Sequence, residues 1–196
     1  MHITITGKLG SGKSTVAKML AHEDGFEIFS TGAILRAAAA ERGMDLLDLN
    51  KELNANLDSD RSMDDLIDST TVRVAAERRG DKLIFDSRMA WHFVPDSFKV
   101  FVTVDPMVAA ERVMKDPRPG EPAEDVHELC AELVERSKVE QARFVYLYGV
   151  DYYDYNNFNL VVDSSHRAPA EVLAIIRAEM DAFAKDPAGY GHKEFM

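Results

Sequence analysis

The stretch GKLGSGKST at residues 7–15, directly behind MHITIT, constrains this chain more than any other. Gly7, Gly12, Lys13 and Ser14 fit the spacing G-x-x-x-x-G-K-[ST]. The flanks fit too, with an alternating β-branched run before the stretch and a helical pattern from Ser14 after it. A strand, a glycine-rich turn and a helix in that order let successive backbone N–H groups curl around an anion, with the positive pole of the helix aimed at the same point. The loop Gly7, Lys8, Leu9, Gly10, Ser11, Gly12, Lys13, Ser14 and Thr15 is therefore expected to cradle the phosphates of a nucleoside triphosphate. Lys13 would bridge the β- and γ-phosphates and the Ser14 hydroxyl would hold Mg²⁺.

Such a turn needs a parallel sheet around it. Five β-rich runs are present: His2–Thr6, Glu27–Ser30, Lys82–Phe85, Lys99–Val104 and Asn159–Asp163. Their apolar residues follow one another, as in strands buried on both faces, and helical stretches separate them. The expected fold is α/β, one domain over residues 1–196, with a five-stranded parallel sheet flanked by helices. Two stretches are too long for simple crossovers. Residues 31–79 hold three helical segments, Gly32–Arg42, Asp45–Leu57 and Met63–Arg79. Residues 115–143 open with the turn DPRPGEP at 116–122 and run into a helix around Glu124–Tyr148. A last helix is expected at Pro169–Phe183. The tail 184–196 has little periodicity and is expected to be loose.

The formal net charge of -11 argues against a nucleic-acid partner, whose phosphates need a basic footprint. No apolar run approaches the roughly 20 residues of a membrane span, and the N-terminus lacks the pattern of a signal peptide. Cys130 is the sole cysteine, so no internal disulfide can form. A reducing, cytoplasmic setting is the expectation.

Chemistry on a bound triphosphate needs groups for a second, small-molecule substrate. Arginines suit that work, because the guanidinium fork takes phosphate oxygens in pairs. In FSTGAILR (29–36), Ser30 or Thr31 can cap a helix with Arg36 one turn in. Asp86 and Arg88 stand at the carboxyl edge of the third strand, where open α/β sheets bind ligands. Asp86 is a candidate for Mg²⁺ through water, and Arg88 for an acceptor phosphate. Arg136 and Arg143 lie about two helical turns apart on one face, with Glu140 between them. Arg112 and Arg118 lie at the start of the second insertion. A nucleotide-binding switch and a kinase for another nucleotide or small metabolite would use the same loop.

Four segments resemble the cytidylate kinase family, in its shorter, archaeal-type branch: ITITGKLGSGKSTVAKML, FSTGAILRAAAAERGMDLLDLN, LIFDSRMAWHFVPDSFKVFVTVDPMVAAERV and ERSKVEQARFVYLYGVDYYDYNNFNLVVDSS. The resemblance spans nearly residues 2–180. It implies a P-loop NTPase core whose five strands run in the order 2-3-1-4-5, with a nucleotide-binding insertion at 31–79 and a lid at 115–143, and transfer of the γ-phosphate of ATP to CMP or dCMP. Carried over by position, Ser30, Gly32 and Arg36 line the CMP site, Arg88 grips the CMP phosphate, and Arg136 and Arg143 close over the transferring group with Lys13. Asp64 and Asp68, one turn apart in SMDDLID, are positioned to face the base, where a carboxylate accepts from the cytosine amino group. A solvated acidic helix face is the alternative for that pair. Asp86-Ser87-Arg88-Met89 stands where many bacterial members carry Asp-Gly-Arg-Asp. Trp91 and the tyrosines at 146–155 are expected to serve packing.

Overall fold

In β1 (His2–Gly7) the alternation of isoleucine and threonine sorts the two faces of a sheet. The computed structural model, which describes residues 1–44, 46–56, 61–116 and 125–196, seals Ile3 and Ile5 into the main core with Val100, Val102, Leu160 and Val162. Thr4 and Thr6 are equally buried on the opposite face, so their hydroxyls need partners. Thr4 Oγ1 pairs with Ser97 Oγ at 3.1 Å. Thr6 Oγ1 donates to the Ser87 carbonyl at 2.9 Å, which ties the end of β3 (Leu83–Asp86) to β1 just before the glycine loop.

The remaining strands are β2 (Glu27–Ser30), β4 (Phe98–Thr103), β5 (Leu160–Asp163) and β6 (Lys193–Phe195). All pair in parallel, in the order β2-β3-β1-β4-β5-β6. Every carboxyl end therefore meets the same edge, with the glycine loop near the middle of it. Among the described residues the sheet has six strands, not the five expected. The sixth comes from the tail expected to be loose. There the Tyr190 ring packs on Phe98 and Phe183, and Lys193 N–H donates to the Asn159 carbonyl at 3.0 Å. KEF carries no apolar run of its own; the open edge of β5 supplies the order.

One face of the sheet is covered by α1 (Lys13–Asp24) and α8 (Pro169–Lys185), through Val16, Leu20, Val172 and Ile176. The other is covered by α5 (Ala90–Phe93), the end of α7 (Val126–Tyr148) and the segment that follows it, through Trp91, Phe144, Tyr148, Tyr152 and Phe158 against Phe101 and Val161. Trp91 is 4% exposed and serves packing, as expected. The first half of α7 lies on α6 (Pro106–Lys115), with Ala110, Leu129 and Leu133 between them.

The 31–79 insertion folds as α2 (Thr31–Glu41), α3 (Leu46–Ala55) and α4 (Ser62–Glu77). It has its own small core of Ala39, Leu49, Leu53 and Met63. The far end of α4 joins the sheet through Val74 and Ala75 against Leu83 and Phe85. Residues 45, 57–60 and 117–124 lie outside the described residues, and with them Arg118 and all but the first residue of the turn expected at 116–122. No helix among the described residues is long and apolar enough to cross a membrane.

Candidate active site

The glycine loop is built by close approach. A Cβ on Gly7 would lie 2.3 Å from the Val102 carbonyl oxygen, the same oxygen that accepts from Lys8 N–H at 3.1 Å. Gly12 has φ 80° and is the N-cap of α1, where no side chain caps the helix. The helix pole is thus left open toward the loop, as anion binding requires. The Thr15 N–H turns back to the Gly12 carbonyl at 3.0 Å. On the far side, Ser164 Oγ donates to the Ser11 carbonyl at 2.9 Å, and Arg112 holds Ser164 through its hydroxyl and carbonyl at 3.0 and 2.6 Å.

Lys13 Nζ reaches Asp86 Oδ1 at 2.5 Å, and Ser14 Oγ donates to Asp86 Oδ2 at 2.8 Å. Asp86 is buried, which pushes its carboxyl up. The Lys13 ammonium, the bonds from Lys13 and Ser14, and the Arg88 charge outweigh that and hold it below the usual carboxylate range. A hydroxyl and an ionised carboxylate facing each other are hard oxygen donors, the kind that suits Mg²⁺. Among the described residues no group of three or more His, Cys, Asp or Glu could hold a metal. An ion held here would therefore complete its shell with water and phosphate oxygens.

Arg88 joins three elements. Its Nη1 donates to the Gly7 carbonyl of the loop, and its Nε donates to Glu140 Oε2 of α7 at 3.0 Å. The other Glu140 oxygen contacts Arg136 Nε at 3.4 Å. Burial would push Glu140 up, but Arg88 and Arg136 together hold it below its ordinary value. Further along α7, Arg143 Nη2 contacts both oxygens of Asp64 at 2.7 and 2.6 Å. Arg143 is 9% exposed, and its Nε is buried without a hydrogen-bond partner. Tyr148 donates to Asp68 Oδ2 at 2.8 Å.

These groups line one cleft of about 730 Å³, from Lys13 and Ser14 at the loop to Asp64 and Asp68 on α4. Ser30, Gly32 and Arg36 line it too. Ser30 Oγ caps α2 by accepting from Ala33 N–H at 3.3 Å. Arg36 folds back over Gly32, where a Cβ would lie 3.3 Å from Nη1. Lys8 lines a smaller recess with Val104, Pro106, Tyr153 and Tyr155. Met89 is 5% exposed and packs with Trp91, Phe101 and Tyr152.

Asp64 and Asp68 are not a solvated acidic face; both turn inward onto α7. The expectation that the tyrosines at 146–155 serve only packing missed Tyr148. Residues 136, 140, 144 and 148 recur every four positions, and that spacing puts Phe144 and Tyr148 on the arginine face of α7. Asp68 has a measurable signature. Burial raises its carboxyl from an ordinary 3.8 to about 6, against the lowering bond from Tyr148. The folded protein favours the protonated form, so the stability this gives below pH 4 is lost as pH rises through 6. Asp68→Asn removes that titration and keeps an acceptor for Tyr148. Its melting midpoint relative to the parent is expected to rise by a few degrees between pH 4 and pH 7 in calorimetry; a difference that does not vary with pH contradicts the burial account.

The sequence matches the cytidylate kinase-like family over residues 2–166. It is 34% identical over 188 residues to a cytidylate kinase of Natronomonas pharaonis, covering 95% of this chain and 92% of that protein. It is 30% identical over 189 residues to one of Methanosarcina acetivorans, covering 93% and 97%. Among solved structures, an uncharacterized protein from Eubacterium ventriosum aligns with a TM-score of 0.69 at 16% identity, over 93% of this chain and 99% of that one. A shikimate kinase from Bacteroides thetaiotaomicron aligns at 0.62 and 14% identity, over 92% and 98%. At such identities these structures speak to the fold alone, which they share. The sequence matches run nearly end to end, through the glycine loop, the helical insertion and the arginines of α7, and the chain belongs to the cytidylate kinase-like family.

Proposed function

We propose that the protein transfers the γ-phosphoryl group of ATP to CMP or dCMP, giving ADP and the nucleoside diphosphate. Its family makes it an ATP-dependent phosphotransferase; the proposal adds the acceptor and the residues that serve it. The observation that carries it is the cleft in which the glycine loop's Lys13 and Ser14 and the arginines Arg88, Arg136 and Arg143 face Asp64 and Asp68. Guanidinium groups beside a phosphate-binding loop suit the phosphate of a second substrate.

With the triphosphate in the loop, Lys13 turns from Asp86 to the β- and γ-phosphates. Ser14 and Asp86 would hold Mg²⁺, which when bound draws negative charge from those phosphates. Arg88 lies between the loop and α7 and takes the acceptor phosphate, and Arg136 and Arg143 meet the charge on the group in transfer. Asp64 and Asp68, beside Ser30, Gly32 and Arg36, face the nucleoside, where a carboxylate accepts from the cytosine amino group. Phosphoryl transfer needs little covalent help, so positioning and fixed charge supply the acceleration. Closure of α7 and the insertion over the cleft keeps water from the γ-phosphate.

The test is ADP formation with ATP and Mg²⁺ across CMP, dCMP, UMP, AMP, GMP and TMP. Strong stimulation by CMP or dCMP is expected. Preference for another nucleotide overturns the acceptor, and stimulation by none moves the activity to a small metabolite or to a nucleotide-binding switch.

A further inference from the structure

The tail expected to be loose instead reaches the ligand edge of the sheet. Because β6 runs parallel to β5, with Leu160 opposite Lys193 and Val162 opposite Phe195, its carboxyl end arrives at the same edge as the glycine loop. There Arg167 Nη2 donates to the Met196 carbonyl at 3.0 Å, and Nη1 donates to the Asp163 carbonyl. Arg167 thus clasps the end of β6 to the loop that follows β5. That loop is in turn fixed to the phosphate loop through Ser164 and the Ser11 carbonyl. The family model's match ends at residue 166, before β6, while the matches to the relatives run nearly end to end.

The position of this loop gives the clasp a meaning, provided the glycine loop holds ATP as proposed above. The acceptor cleft opens from the glycine loop toward Arg88, α2 and α4, on the β3 side of β1. With that side left to the acceptor, the space open to the nucleoside of a nucleotide whose phosphates sit in the loop is the other side, over the carboxyl ends of β4 and β5. The segments that stand there are Asp105–Arg112 and Ser164–Arg167, joined by the bonds from Arg112 to Ser164 and from Asp105 N–H to Ser165 Oγ at 2.8 Å.

We propose that β6 is a positioning element of the donor-nucleoside site, holding Arg167 and the 164–167 loop in place, and that it sets the affinity for ATP and not that for the acceptor. A surface loop ordered before binding spares the ligand the entropy of ordering it. The tail is anchored for that task. The Tyr190 hydroxyl sits on Glu179 at 2.7 Å, His192 Nδ1 meets the Phe158 carbonyl at 2.8 Å, and Lys193 N–H is paired to Asn159.

Two variants test this. Lys193→Pro removes the N–H that β6 donates to Asn159, with Lys193→Ala, which keeps it, as the comparison for the lost side chain. Arg167→Lys keeps the charge and loses the two-armed hold. The readouts are calorimetric titration with ATP and Mg²⁺ in the absence of acceptor, separate titration with CMP, and the melting midpoint. Lys193→Pro and Arg167→Lys are expected to weaken ATP about fivefold, as loss of one or two hydrogen bonds does, while CMP affinity changes by less than about twofold. Unchanged ATP affinity in the folded variants overturns the proposal. So does a parallel loss for both nucleotides, which would mark general loosening. Should Lys193→Pro not fold, Arg167→Lys decides alone. If CMP is no ligand of the parent protein, the acceptor assignment fails while the ATP titration still decides this one.

Discussion

Lys13→Ala is expected to lower kcat by about three orders of magnitude or more while the protein stays folded. The ammonium stands at the open pole of α1, within reach of the phosphate loop, and in the free protein it rests on Asp86. Charge builds on the γ-phosphoryl oxygens as the bond to the leaving group lengthens, and a cation fixed at that point stabilises the transition state more than the bound substrate. The neighbouring arginines have other tasks in the proposed mechanism, Arg88 on the acceptor phosphate and Arg136 on the group in transfer. Stability should suffer only modestly. Asp86 keeps the bond from Ser14 and the charge of Arg88, so its carboxyl rises without being stranded. Steady-state ADP release at saturating substrates, beside a circular-dichroism melt, checks both halves. Turnover within tenfold of the parent would sink the mechanism.

Arg88→Ala should raise the KM for the acceptor and lower kcat, so that kcat/KM for the acceptor falls by about a hundredfold to ten-thousandfold. The variant loses the fork proposed to hold the acceptor phosphate. It also releases the Gly7 carbonyl and leaves Glu140 with Arg136 as its remaining arginine partner. Because Arg88 contacts the phosphate loop as well as α7, misplacement reaches both substrates, but the KM for ATP should move far less than that for the acceptor. Arg88→Lys restores charge without the planar fork and should recover only part of the loss. Initial rates with varied CMP at saturating ATP are the measurement; unchanged constants would remove Arg88 from the site.

The legible parts of this protein are those written locally. Five strands, their parallel pairing and the turn at residues 7–15 follow from apolar runs, from glycine positions and from the alternation of strand and helix, while the strand order comes with the family resemblance. β6 was not legible because its order is borrowed: KEF pairs only because Tyr190 is anchored in the core and β5 has a free edge. The helix α5 has four residues, too few to show a period. In the site, residue types could be read and partners could not. Arg88 with Glu140, Arg143 with Asp64 and Tyr148 with Asp68 are separated by 52, 79 and 80 positions, and only the folded sheet and its insertion bring them together. Met89 could be read as a departure from a related motif, but its place in an aromatic core could not.

The charges of the cleft govern which anions it accepts. Lys13, Arg88, Arg136 and Arg143 each meet a carboxylate before any phosphate arrives, and those carboxylates are Asp86, Glu140 and Asp64. The free site is therefore an ion exchanger with a threshold. A small anion that displaces one carboxylate leaves that group buried without its cation, at a cost that offsets part of the attraction drawing the anion in. A nucleotide long enough to span the glycine loop and the arginines replaces several carboxylates together and adds backbone N–H donors. Inorganic phosphate can meet the open pole of α1 but not the arginines of α7 at the same time, so a ligand long enough to address both has the advantage.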